Sequence, residues 1–136
     1  MRLLVDSSTI YSAIVYTGEV KNLLDLLIEK HTIVLTDYII EELKRNLREK
    51  LSSRNRDKAL RQLNFLISNC EIKKKNEYVH KLSSAKDIIS DKDAPIIACG
   101  MLPDIDYLIS SDKEFWNLKS KEIIILSPSD ARKRLL

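Results

Sequence analysis

Four short apolar runs limit how this 136-residue chain can fold: LLV (3–5), TIVL (32–35), YLI (107–109) and III (123–125). Each is too short for a buried helix and rich in branched residues, which suits strands buried on both faces. Polar helix-starting residues follow each run: Asp6-Ser7-Ser8-Thr9, Thr36-Asp37, Ser110-Ser111-Asp112 and Ser127-Pro128-Ser129-Asp130. Between the runs the period changes to that of a helix. Residues 7–16 form one helical stretch, ended by Gly18, and residues 19–30 form another with Leu23, Leu24, Leu27 and Ile28 on one side. A long helix opened by Thr36 or Asp37 repeats Ile39, Leu43, Leu47 and Leu51 every four residues. Further helices are expected over 56–68, 77–85, 93–101 and 112–118, with a last one after Ser127, and CEI (70–72) reads as one more short strand. Strands alternating with helices imply a central parallel sheet of four to five strands covered on both faces, in a single domain spanning 1–136. In such sheets ligands bind beyond the carboxyl ends of the strands.

Composition removes several alternatives. With two Gly, neither near the other, no phosphate-cradling loop and no dinucleotide fingerprint can be written. Cys70 and Cys99 lack CxxC spacing, and His31 and His80 are too far apart in sequence to complete a zinc site with them. Both cysteines read as small core residues. No apolar run approaches the ~18 residues of a membrane helix, and MRLLVDSSTI has no signal-type apolar core. A soluble, cytoplasmic protein without a membrane partner is expected.

Chemistry is therefore sought after the strands. Asp6 follows the first run, with Ser8 two residues on, and Asp112 follows the third, after Ser110. Glu41 and Glu42 lie in the second turn of the long helix, and Asp91 and Asp93 precede the 93–101 helix. Any one of these acids can be a helix cap or a solvated surface residue. Collected at one sheet edge they repel one another, and a hard divalent cation such as Mg²⁺ or Mn²⁺ is the natural compensation.

Four stretches, LLVDSSTIYSA (3–13), TDYIIEEL (36–43), SDKDAPIIACG (90–100) and YLISSDKEF (107–115), resemble in order and spacing the motifs of the PIN-domain ribonucleases. The size is similar to that of VapC toxins and related stand-alone PIN proteins. The resemblance implies a three-layer α/β/α sandwich and metal-assisted hydrolysis of RNA by one or two Mg²⁺ or Mn²⁺. It implies Asp6, Glu42, Asp93 and Asp112 as catalytic, metal-binding acids. Asp91 and Glu114 would be secondary acids, and Ser8 and Ser110 supporting hydroxyls. Glu42, followed by Leu43, fits the family pattern better than Glu41. Because a helix turns about 100° per residue, only one of the pair can face the cleft squarely. The sequence departs from the pattern at Ser110, where Thr is frequent, and at Cys99-Gly100, where small Ala residues are usual. The resemblance also implies an antitoxin partner and a homodimer. Two other readings stand beside it: a catalytically inactive PIN module that binds RNA or a protein, and a haloacid-dehalogenase-type phosphatase. The latter usually wants an acid where Ser8 stands.

The net charge of +3 conceals a polarity. Residues 44–61 hold eight Lys or Arg against two acids, whereas residues 86–114 hold seven acids against three Lys. Lys44, Arg45, Arg48 and Arg54 are the candidate RNA-binding cations, steering phosphates toward an otherwise repulsive cleft. The alternative is a solvated helix face. Tyr11, Tyr38 and Trp116 lie near the motifs, where packing at the rim is the commoner role of such residues.

Overall fold

The first apolar run becomes the middle of the sheet. In the computed structural model, which describes residues 1–136, β1 (Arg2–Val5) pairs in parallel with β2 (Thr32–Thr36) on one side and β4 (Tyr107–Ile109) on the other. β3 (Glu71–Lys73) and β5 (Ile125–Leu126) form the edges, giving the order β3-β2-β1-β4-β5. Leu3 sits in register with Ile33 and Tyr107. Leu3, Leu4, Ile33, Val34, Leu35, Leu108 and Ile109 are all buried, so the near-continuous apolar runs reflect a sheet covered on both faces.

The helices are α1 (Ser7–Val15), α2 (Glu19–Lys30), α3 (Asp37–Lys50), α4 (Ser53–Ser68), α5 (Lys75–Tyr78), α6 (Leu82–Lys86), α7 (Ala94–Gly100), α8 (Lys113–Trp116) and α9 (Pro128–Leu135). Together with the sheet they make an α/β/α fold. α1 to α4 pack on one another through Ile10, Leu24, Leu27, Leu43, Leu47 and Leu63. α5 to α7 form a second group around Tyr78, Ala85 and Ile97. Thr36 caps α3, its hydroxyl accepting from the Ile39 amide at 2.9 Å.

Four elements differ from the sequence expectation, one of them α8, which covers only Lys113–Trp116 of the expected 112–118. α4 begins at Ser53 rather than near 56, because Ser52 caps it by accepting from the Asn55 amide. The 77–85 stretch breaks into α5, a 3₁₀ turn over Val79–Lys81, and α6. There the Tyr78 hydroxyl donates to Asp37 Oδ1 at 2.6 Å and pins the end of α5 against the start of α3. The last strand is Ile125–Leu126 rather than 123–125. Ile123 instead plugs against α7: a Cβ added at Gly100 would lie 2.4 Å from its Cδ1. Gly100 thus lets the Ile123 side chain approach α7 closely.

At the amino end of the sheet, the Arg2 guanidinium bridges Glu71 and Asp104, and Lys73 Nζ lies 2.9 Å from Asp104. These cations hold the Asp104 carboxyl below its ordinary value. His31 ties the chain ends together, with Nε2 2.9 Å from the Leu135 carbonyl and Nδ1 3.3 Å from the terminal amine.

Leu4 is fully buried in the central strand. Leu4→Ala is expected to lower unfolding free energy by about 2–5 kcal/mol, with an unchanged m-value, in a urea titration followed by circular dichroism.

Candidate functional site

The strand order reverses between β1 and β4, since the chain runs from β1 outward through β2 and β3 and only then returns to β4. That switch point leaves a crevice at the carboxyl ends of the two strands. Asp6 and Ser110 stand side by side there, each the first residue past its strand.

Asp6 is 2% exposed and caps α1, its Oδ1 accepting from the Thr9 amide at 3.0 Å. Ser8 Oγ lies 3.2 Å from Oδ2, and the buried Ser110 hydroxyl donates to the same oxygen. Burial pushes the Asp6 carboxyl up, against the pull of the hydrogen bonds from Ser110, Thr9 and Ser8. Ser110 Oγ also accepts from the Asp112 amide at 2.9 Å. One hydroxyl therefore links two acids. Asp112 caps α8, accepting from the Glu114 amide at 2.9 Å, and Glu114 itself is exposed. Thr9 and Ser111 join the two loops through a 2.8 Å contact between their hydroxyls.

Glu42 enters from α3 and is 6% exposed, whereas Glu41 is exposed. Ser7 donates to Glu42 Oε1, so α1 supports acids on both sides of the crevice. Asp93, just before α7, is half-buried and accepts from Ser90 Oγ at 3.3 Å. Burial raises its carboxyl first, and the charges of Asp112 and Glu42 raise it further. Asp91 is exposed in the preceding turn.

Glu42, Asp93 and Asp112 are thus near enough to repel, and Asp6 is joined to Asp112 through Ser110. None of the six ion pairs involves any of these four acids. The donors are hard oxygens of the kind Mg²⁺ and Mn²⁺ take, which fits a cation. In the geometry seen, however, no three of the carboxylates converge as a ready chelate. Asp6 is turned to its hydroxyls, Glu42 to Ser7 and Asp112 to its own helix.

Two supporting residues escaped the motif reading. Ser7 is one. Tyr38 is the other, lying one helical turn before Glu42 at the i, i+4 spacing that could have marked it. Its hydroxyl donates to the Lys92 carbonyl at 2.5 Å, latching α3 to the turn that carries Asp93. Burial raises the Tyr38 phenol, followed by the charges of Glu42 and Asp93, while Arg45 opposes them. Arg45, three residues after Glu42, lies about 60° round α3 from it and is exposed. Helical rotation from Glu42 points Lys44 and Arg48 about 160° and 120° away, and Arg54 is exposed in α4. A concavity of about 710 Å³ lies elsewhere: Leu24, Ile28, Phe65 and Leu66 line it, and none of the four acids does.

Five parallel strands with an acidic crevice at the switch point define a three-layer α/β/α protein built around clustered carboxylates. A family profile described as PIN domain matches residues 2–114, and the chain belongs to the PIN-domain family. Solved structures share the fold. VapBC2 from Rickettsia felis, bound to a DNA fragment from their promoter, gives a TM-score of 0.73 at 20% identity over 93% of this chain and 98% of that one. FitAcB from Neisseria gonorrhoeae gives 0.73 at 16% identity over 93% and 98%. DNA-bound VapBC from Salmonella typhimurium gives 0.65 at 12% identity over 94% and 98%. No curated protein matches the chain. No helix is long and apolar enough to cross a membrane.

The raised Asp93 carboxyl has a stability consequence. Its charged form is disfavoured more in the folded than in the unfolded chain, so stability falls as pH rises from its ordinary value of 3.8 through the raised one. Asp93→Asn is expected to stabilise the metal-free protein at pH 7. The gain should vanish below pH ~3.5, where wild type is also neutral, as read by urea denaturation at both pH values.

Proposed function

We propose that this protein is a metal-dependent endoribonuclease that hydrolyses RNA phosphodiester bonds, as the VapC-like toxin of a toxin–antitoxin pair. The observation that carries the reading is the acidic crevice. Four carboxylates from four separate elements border the crevice, and none has a cationic side chain in an ion pair with it. Structural acids are ordinarily satisfied by Arg or Lys, as Asp104 is in this chain. Acids left mutually repulsive imply a ligand that supplies the charge.

Asp6, Glu42, Asp93 and Asp112 are the proposed ligands for Mg²⁺ or Mn²⁺. Asp91 and Glu114 are outer acids, and Ser8 and Ser110 orient the carboxylates. Such an ion, when bound, activates water and offsets charge at the scissile phosphate. The chain's own contribution is orientation. Ser110 and Ser8 hold Asp6, Ser7 holds Glu42, and Tyr38 ties the Asp93 turn to α3. Arg45 is the phosphate contact nearest the crevice, with Lys44, Arg48 and Arg54 forming the more distant basic surface. Residues 115–136 bury Phe115, Leu126, Ala131 and Leu135 in the same core, which supports reading 1–136 as one PIN-like domain. An antitoxin protein, a homodimer and a cytoplasmic location belong to the same proposal.

One observation favours a catalytically inactive PIN module that binds RNA or protein: Asp6 and Asp112 both serve as helix caps. RNA binding in EDTA with no cleavage in Mn²⁺ would favour that module over the enzyme.

Asp6→Asn keeps a good capping residue and should fold. It is expected to lower RNA cleavage in Mn²⁺ at least about a hundredfold, with chelation abolishing the wild-type activity. Unchanged cleavage by both Asp6→Asn and Asp112→Asn would sink the proposal. Arg45→Ala is expected to weaken RNA binding and to reduce the slope of log affinity against log salt by about 1, whereas Lys44→Ala should change that slope less.

A further inference from the structure

Trp116 is the chain's one tryptophan and closes α8, yet it is 42% exposed. Its indole N–H is not left to water, because it donates to the Ser110 carbonyl at 2.8 Å. Ser110 is also the residue whose hydroxyl meets Asp6 and the Asp112 amide. A single hydrogen bond thus fixes this ring to the residue that organises the acidic crevice, with much of its apolar surface facing solvent. Lys113 precedes it by three residues and Lys119 and Lys121 follow within five; all three are exposed and none forms an ion pair. A large rigid ring, wet on one side and close in sequence to unpaired cations, suits a flat, anionic ligand.

We propose that Trp116 is a stacking platform for a nucleobase of bound RNA, beside the crevice where the backbone would be cut, with the flanking lysines meeting neighbouring phosphates. The inference rests on the ribonuclease reading and adds a base-binding position to it. The indole's only donor is already engaged, so the ring contributes stacking and no hydrogen-bond readout. Its effect is therefore tolerant of base identity, with purines favoured over pyrimidines through their larger stacking surface.

The single tryptophan makes the test direct. Short RNA is titrated into the metal-free protein in EDTA, following both tryptophan fluorescence and the anisotropy of labelled RNA. The expected result is saturable quenching with the same midpoint as the anisotropy change. A backbone of equal length without bases should bind more weakly and should not quench. Trp116→Ala is expected to weaken RNA binding about tenfold, and Trp116→Phe to recover most of it. Phe keeps an aromatic face but loses the N–H, so a merely structural role of the Ser110 hydrogen bond would make the two variants equal. Three results overturn the proposal: RNA binding without quenching, equal affinity of Trp116→Ala and wild type, or equal loss in both variants. Quenching by a protein partner while bound RNA leaves the fluorescence unchanged assigns the ring to a protein interface and likewise overturns it. Absence of RNA binding by anisotropy both in EDTA and with Mg²⁺ or Mn²⁺ added is instead the failure of the ribonuclease reading.

Discussion

A carboxylate that has been taken out of water at the end of the central strand governs this structure. β1 is flanked on both sides and covered on both faces, so whatever follows Val5 enters a dry crevice. The residue there is Asp6. A buried acid must be surrounded by donors or neutralised, and the chain supplies donors from two directions. Ser8 and Thr9 come from the next turn of chain, and Ser110 comes from a strand that pairs only through long-range folding. The hydrogen bonds that satisfy Asp6 are thus the same ones that bring the β4–α8 loop, and Asp112 with it, to the start of α1. Satisfying one buried charge assembles half of the acidic crevice.

Much of this was legible because strand ends are written in the sequence by abrupt changes of polarity. The LLV-Asp and YLI-Ser-Ser-Asp junctions locate Asp6, Ser110 and Asp112 without knowledge of packing, and a rotation of about 100° along the helix separates the buried Glu42 from the exposed Glu41. Details that depend on contacts between distant segments were not legible. Ile123, expected in the last strand, packs against Gly100 instead, and Tyr78, expected within a helix over 77–85, ends α5 and hydrogen-bonds Asp37. The support from Ser7 was hidden for the same reason, since a serine that opens a helix reads first as a capping candidate. The basic stretch was visible as composition, but its rotation about α3 divides it, leaving Arg45 beside the acids and turning Lys44 and Arg48 aside.

Two aspartates show how the molecule separates stability from chemistry. Asp104 sits between Arg2 and Lys73, and its carboxyl is lowered. Asp93 has no cation paired with it and is raised, first by burial and then by the charges of Asp112 and Glu42. The residue type is the same, and the opposite shifts come from direct cation pairing in one case and uncompensated burial in the other. The amino end of the sheet is closed electrostatically, while the carboxyl end holds carboxylates that repel one another. Perturbed carboxylates gathered at a switch point are a physical signature of function with or without a motif.

The strand order carries one more consequence, for the making of the protein. β1 is synthesised first, but its second neighbour, β4, begins more than a hundred residues later at Tyr107. Contacts of such sequence separation form late and slowly in folding. An amino-terminal fragment can hold Asp6 and Glu42, yet it lacks the Ser110 hydroxyl that orients the first and the Asp112 that completes the set. A growing chain therefore carries its acids unassembled until nearly all of it has been made. A protein that cuts RNA would, on this topology, be harmless to the very messenger being read to produce it until translation was almost over.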